Sequence, residues 1–367
     1  PLPTVQPTPS GNTFSPTGGE AVRRVNPDNL DRLRLLDVLP AGGSPIINGA
    51  MSEDGRYFVS ANAQGEVLLW DLETRTQLAR LEGHAPGDFF VAEFAPEGDR
   101  LVTQDAIFTR RLWALPSAEL LAEYDEEFGA IAMAFSPEGR YLATGGYSNS
   151  VYVWDAATGE EVTRLEGHSN YVFHVAFSKN GRWLASVGPD SPLHVWDVAA
   201  WMLDQTIDLD NGARLWAADF TWDDDMLAVS SGNLEQPGRL HFVDRASGQE
   251  LFTRDVHTST VFDVVWTPSY LFSVDFDSVL NLWTAQGDLV HSQEGIACGV
   301  MPLSETLFVV STQQGGSVFY DLPDGSPNPV QPFSDLAPNS CVYINLVGNL
   351  YITTSADGLV RLWGIPE

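Results

Sequence analysis

Short β-like runs recur along this chain at nearly constant spacing. Each ends in an aromatic residue or a near substitute: Trp70, Trp113, Trp154, Trp196, Val243, Trp283, Tyr320 and Trp363. Successive ends lie 43, 41, 42, 47, 40, 37 and 43 residues apart. Such a period marks an array of units too small to bury their own apolar faces, so stability has to come from stacking on neighbours. A length of 367 residues would otherwise allow two or three ordinary domains. The repeat predicts one large domain instead.

The third unit shows the internal layout most clearly. Ala130-Ile-Ala-Met-Ala-Phe135 alternates as a strand does, and Ser136-Pro-Glu-Gly139 is a tight turn with Pro and Gly where turns want them. Arg140–Thr144 and Val151–Asp155 form two more strands, Ala157-Thr-Gly159 turns again, and Glu161–Leu165 is the fourth. Four antiparallel strands per unit make one blade of a β-propeller. Eight run ends predict eight blades; seven is the alternative if unit two or seven is misread. The last unit stops at Trp363-Gly-Ile-Pro-Glu367, just after its third strand, whereas Leu33–Leu39 precedes the first inner strand with no blade of its own. Residues 31–39 are therefore expected to supply the outer strand of blade eight and close the ring, which removes free sheet edges. The expected fold is all-β, a single eight-bladed β-propeller of four-stranded antiparallel blades over residues 30–367, preceded by a Pro/Thr/Ser/Gly-rich tail over 1–29.

Gly83-His84 and Gly167-His168, with Trp70-Asp71, Trp154-Asp155 and Trp196-Asp197, form a Gly-His…Trp-Asp pattern. In these motifs the chain resembles the WD-repeat family of β-propellers over about residues 30–366. Units five and seven depart from it with Val243-Asp244 and Tyr320-Asp321, and units two, six and eight keep Trp without the following Asp. The resemblance implies a platform for protein partners and a buried Asp–His–Ser–Trp network within a blade. Its members here would be His168, Ser186, Asp190 and Trp196, spaced 18, 4 and 6 residues apart, and His257, Ser273, Asp277 and Trp283, spaced 16, 4 and 6. A hydrolase triad needs one asymmetric site, so a set that recurs blade by blade reads as structural.

Composition narrows the partners. The formal net charge is −30, and Lys179 is the only lysine. Such a surface repels phosphate backbones and anionic lipid, so nucleic acid is not expected as a partner. No apolar run reaches the roughly 18–20 residues that span a bilayer, so membrane insertion is not expected. Residues 1–19 are dominated by Pro, Thr, Ser and Gly and carry no initiator Met. That reads as the stalk of a processed product and predicts an extracellular or cell-surface location, with the cytoplasm as alternative. Cys298 and Cys341 lie 43 residues apart near the starts of adjacent inner strands. They are placed for a disulfide or for two buried thiols. Asp223-Asp-Asp225 lacks the spacing of a calcium loop and reads as a solvated turn. No phosphate loop, Cys-x-x-Cys or His-Glu-x-x-His occurs, so no cofactor, metal or catalytic residue is expected.

Four residues before each inner-strand end stand Phe90, Phe173, Trp216 and Phe262, flanked by Asp88, Tyr171, Arg214 and Thr260. The family resemblance implies that this edge opens on the face where partners dock. Aromatic residues and Arg dominate binding hot spots, so Asp88, Phe90, Tyr171, Phe173, Arg214, Trp216 and Phe262 are rim candidates; packing between blades is the alternative. Phe14, the only aromatic of the tail, would anchor it on the chain's own ring or on a second copy. The functional expectation is a non-catalytic interaction or structural module of an extracellular assembly, binding other proteins or further copies of itself. Carbohydrate or small-ligand binding at the rim is one alternative. An enzyme at the channel mouth, drawing on His174, Asp219 and Asp263, is the other.

Overall fold

The computed structural model describes residues 22–23 and 32–366 apart from 88–89, 125–129, 191, 210–213, 234–235, 256, 303–306, 313–316, 322–327, 331–340, 345–349 and 355–356. Side chains 130, 131, 236 and 366 and, Val310 and Tyr320 excepted, those of 297–349 also lie outside the described set. Among the described residues there is no α-helix, and the strands form eight antiparallel sheets. Seven sheets take four strands each in chain order. We number them as blades one to seven and letter their strands a to d.

The a strands are Ile46–Met51, Val91–Phe94, Ala130–Phe135, His174–Phe177, Leu215–Phe220, Val261–Trp266 and Ile296–Pro302. They touch one another from blade one through blade six. Strand Ile296–Pro302 touches Cys341–Ile344 of blade eight, which in turn touches Ile46–Met51 of blade one. The a strands therefore line the axis and the ring closes.

Blade eight is built from both ends of the chain. Its a, b and c strands are Cys341–Ile344, Leu350–Thr354 and Leu359–Pro366. Arg34–Pro40 supplies d, antiparallel to c with Leu35 opposite Trp363 and Leu39 opposite Val360. The expected closure over 31–39 is thus realised over Arg34–Pro40. The register slips by one residue between Leu35 and Asp37. Blades one to six carry the same slip beside Trp70, Trp113, Trp154, Trp196, Val243 and Trp283. A bulge there sharpens the strand twist. The N-terminal strand reproduces it, so it is a true d strand. Val22–Arg23 extends the sheet by pairing with Pro366 and Ile365.

The core is a set of layers between blades. Ala185, Val187, Leu193 and Val195 of blade four pack on Leu215, Phe220, Leu227 and Val243 of blade five. The closing strand takes part equally: Leu39 joins Ile352, Val360 and Leu362 of blade eight against Phe58, Leu68 and Trp70 of blade one.

The a–b turns of blades one to five share one geometry, with a left-handed residue at Gly55, Gly98, Gly139, Gly181 and Asp224. Asp224 holds this glycine place because its carboxylate accepts from Lys179 N (2.7 Å) and Asn180 N (2.9 Å) of the neighbouring turn. Asp223 accepts from the Thr221 hydroxyl at 2.7 Å, and Asp225 is exposed. The three carboxylates are used separately and share no ligand position.

Candidate partner-binding rim and internal polar networks

Each a strand begins at a d–a connection, so the d–a and b–c connections share one face of the ring. Aromatic rings line that face. Tyr147 and Tyr171 meet edge to face at 4.7 Å, with Phe108 6.2 Å from Tyr147. Phe173 stacks on Trp216 at 4.8 Å, Trp216 meets Phe276 at 5.4 Å, and Phe276 stacks on Phe262 at 5.1 Å. The Trp216 indole N–H donates to Gly232 O at 3.0 Å, which fixes the ring in the rim. Tyr147, Tyr171, Phe262 and Phe276 are 39, 40, 38 and 54% exposed, and Arg214 is exposed. Tyr171, Phe173, Arg214, Trp216 and Phe262 are therefore brought to one face.

Phe90 is not part of this rim. It is buried in the layer between blades one and two, edge-on to His84, and Asn48 of blade one donates to its carbonyl at 2.8 Å. Asp88, Phe14 and the side chains of Cys298 and Cys341 lie outside the described residues. Sequence counting along the a strands missed Phe108, Tyr147 and Phe276, which sit in b–c turns. Apolar rings where a turn should be polar were the available signal.

The polar networks sit inside the blades. An indole N–H donates to a hydroxyl ten residues earlier in six of them: Trp70 to Ser60, Trp113 to Thr103, Trp154 to Thr144, Trp196 to Ser186, Trp283 to Ser273 and Trp363 to Thr353, at 2.8–3.0 Å. Blades five and seven lack the indole and lack the hydroxyl too. Buried Val229 and Val310 stand at the hydroxyl's register position, two residues inward of the partners of Val243 and Tyr320. Losing both partners leaves nothing unsatisfied, whereas losing one would strand a buried polar atom.

In blade four, His168 Nδ1 lies 3.0 Å from Asp190 and its Nε2 lies 2.8 Å from the Ser186 hydroxyl. This is the expected set. Blade six corrects the other. His257 Nδ1 bonds Asp275 at 2.9 Å and Nε2 bonds Ser273 at 2.7 Å, while Asp277 is exposed in the turn. Blade two holds a third network that the spacing did not reveal: His84 bonds Thr103 at 2.8 Å, and Asp105 accepts from Ala85 N and from Arg111.

The channel carries a different set of charges. Glu93 accepts from Phe135 N at 3.0 Å, and Asp219 from Trp266 N at 2.8 Å, so each carboxylate bridges to the next blade. Lys179 donates to Asp219 at 3.2 Å. These residues line a cavity of about 470 Å³ at the a–b face, together with Glu53 and Trp222. Burial pushes Glu93 and Asp263 up to about 7 and raises Asp219; burial lowers His174 to about 4. An acid whose folded pKa is raised stabilises below its unfolded value and loses that contribution as pH rises through the folded one. His174 and His194, both lowered to about 4, and His84, His257 and His291, which burial also lowers, run the other way, and their gain continues until the unfolded ring is neutral, above about pH 7. Against that gain, Glu93 and Asp263 should each contribute a loss of about 1 kcal/mol between pH 6 and pH 8. Urea midpoints at the two pH values check this. Glu93→Gln keeps the acceptor for Phe135 N, so its stability relative to wild type should rise by about 1 kcal/mol from pH 6 to pH 8; a difference between the two proteins that does not change with pH would contradict it.

Comparison with known proteins follows the same lines. A family model described as "WD domain, G-beta repeat" matches residues 119–155 and 159–197. Each matched unit starts with the d strand of one blade and ends with the c strand of the next. This offset is why the N-terminal strand belongs to blade eight. The chain is 29% identical over 119 residues, 32% of its length and 23% of the relative's, to a U3 small nucleolar RNA-associated protein 15 homolog of Gallus gallus. It is 28% identical over 108 residues, 29% of its length and 15% of the relative's, to Protein groucho of Drosophila melanogaster. It thus spans less than a quarter of either relative. The crystal structure of the computationally designed Ika8 protein matches 90% of this chain and 100% of its own at TM-score 0.71 and 20% identity, a likeness of fold. The expectation of an extracellular or cell-surface protein is overturned by these matches, since a protein named for a small nucleolar RNA works inside the cell. A Pro/Thr-rich segment is the composition of any extended lead-in and names no compartment. The repeat match and its offset against the blades identify residues 119–155 and 159–197 as two WD repeats, set in a closed β-propeller ring of eight sheets.

Proposed function

We propose that the protein is an interaction module that docks a basic segment of a protein partner on its b–c and d–a face. The observation that carries this is two sets of mutually packed rings on that face, Tyr147 with Tyr171 and Phe276 with Phe262, all four of them exposed. A net charge of −30 supports a basic partner, and ring faces attract Arg and Lys. Arg214 at the rim offers a fork for a carboxylate or a backbone carbonyl of the same segment. WD-repeat proteins act as scaffolds for protein partners, and this reading gives that role a surface.

Selection of random peptides on the immobilised protein tests it. Arg- and Lys-rich peptides should be enriched. Tyr171→Ala and Phe276→Ala should each weaken an enriched peptide about 30-fold, the scale of a hot spot, with the melting temperature unchanged. Met202→Ala, 65% exposed on an outer strand, should leave binding unaltered. Enriched peptides that bind Tyr171→Ala and Phe276→Ala as tightly as wild type would remove the rim from consideration.

A further inference from the structure

Blades two, four and six share the His network but differ at one position. Two residues before the tryptophan, and opposite the network hydroxyl, stand Arg111, His194 and Asn281. Two of the three are used by their own network: Arg111 donates to Asp105 at 3.1 Å, and Asn281 lies 3.2 Å from His257 Nε2. His194 is the exception. Its Nδ1 bonds the Thr206 hydroxyl at 3.1 Å, while its Nε2 is sealed from solvent with no partner, in a side chain only 3% exposed. A buried polar atom left unpaired calls for an explanation, and an unrecorded ion is one.

The surroundings suit an ion. His194 meets His168 edge to face at 4.3 Å between ring centres. One donor atom each from His168, Asp190 and His194 lie within 4.8 Å of one another, which among the described residues occurs only here.

We propose that His168, Asp190 and His194 form a binding site for a divalent transition metal of the zinc type. Two imidazoles and one carboxylate are the donor set that zinc accepts, with water completing four-coordination, whereas calcium and magnesium call for oxygen ligands throughout. Metal–nitrogen bonds of about 2.0–2.1 Å need donors about 3.3 Å apart, so from separations of up to 4.8 Å the site contracts by up to about 1.5 Å on binding. His194 Nε2 has no hydrogen bond to give up in that movement. The metal takes the place of the His168 Nδ1 proton. That proton moves to Nε2, which now donates to Ser186 Oγ. The hydroxyl oxygen has two lone pairs, so it still accepts from Trp196, and the proton count is unchanged. The sequence expectation of no metal site looked for ligands within one motif. This site needs a network pair and a third ligand that faces it from the neighbouring strand.

Titrating the full chain with zinc chloride by calorimetry should show one saturable site and a raised melting temperature. Cobalt chloride should give the intense visible absorption of a tetrahedral centre, and calcium or magnesium in excess should not displace either ion. His194→Leu should abolish saturable binding while leaving the metal-free melting temperature close to wild type. If that variant does not fold, Asp190→Asn, which keeps an acceptor for His168, carries the same test. No saturable site in wild type overturns the proposal. So does zinc bound equally by wild type and the folded variant, since that marks scattered surface carboxylates.

Discussion

A chain lacking residues 1–40 is expected to lose cooperative folding. Arg34–Pro40 occupies the d position of blade eight, and its removal leaves Leu359–Pro366 as a bare edge. It also takes Leu39 from the layer that joins blade eight to blade one. Burial of Leu33 and Leu39 contributes about 1.5–3 kcal/mol each. Loss of the strand's ladder, the layer contacts and ring closure adds to that, so the total approaches the 5–15 kcal/mol that is the whole stability of a typical domain. The truncated chain should show a broad or absent thermal transition by circular dichroism, and aggregation on size exclusion, because an open edge pairs with other chains. Deleting only residues 1–21 spares both paired segments and should leave the melting temperature within a few degrees. A synthetic peptide of residues 32–42, added to the truncated chain, should restore part of the transition. A truncated chain that melts like wild type would show that the ring does not depend on this strand.

The closure was legible in the sequence because the repeat leaves a countable vacancy. Each unit ends with its c strand, so the last unit lacks d and the first stretch of apolar residues has no other place. The indole–hydroxyl spacing of ten was legible for the same reason, since one cross-strand register serves every blade that has the pair. Asp275 was not legible. Its network was read from blade four, where the inward carboxylate, Asp190, stands at the fourth position after Ser186. In blades two and six, with the same spacing of ten from hydroxyl to indole, it is the second position, Asp105 or Asp275, that turns inward. Phe90 failed for a related reason. It holds the same count as Phe173, but the neighbour differs: blade one offers Asn48, which ties down the Phe90 carbonyl and draws the ring into the layer. Spacing along one strand cannot report what the adjacent blade presents. His194 belongs to this group as well, since its orphaned nitrogen exists only once the two strands are paired.

Asp275 and Asp277 therefore separate the two registers. Asp275→Ala should destabilise the protein by about 3 kcal/mol, because it leaves the His257 Nδ1–H and the Val279 N–H without an acceptor, at about 1–3 kcal/mol for a buried donor. Asp275 is 1% exposed, and His257 beside it is 3% exposed. Burial lowers the His257 pKa, so at neutral pH the ring is uncharged and its Nδ1–H donates to the carboxylate. The same carboxylate accepts from Val279 N at 2.9 Å and so also holds the b–c turn, where Ser278 is left-handed at φ 63°. Without it His257 has a buried donor and no acceptor, and the Ser273 hydroxyl it shares with Trp283 loses its anchor. Asp275→Asn keeps one acceptor oxygen and should fall between Ala and wild type. Asp277→Ala removes an exposed side chain and should change stability by no more than about 0.5 kcal/mol. Urea midpoints of the three variants decide the matter. If Asp277→Ala were the damaging change and Asp275→Ala neutral, the inward carboxylate of blade six would stand at the fourth position after Ser273, as in blade four, and the paired register over Tyr270–Asp275 would be wrong.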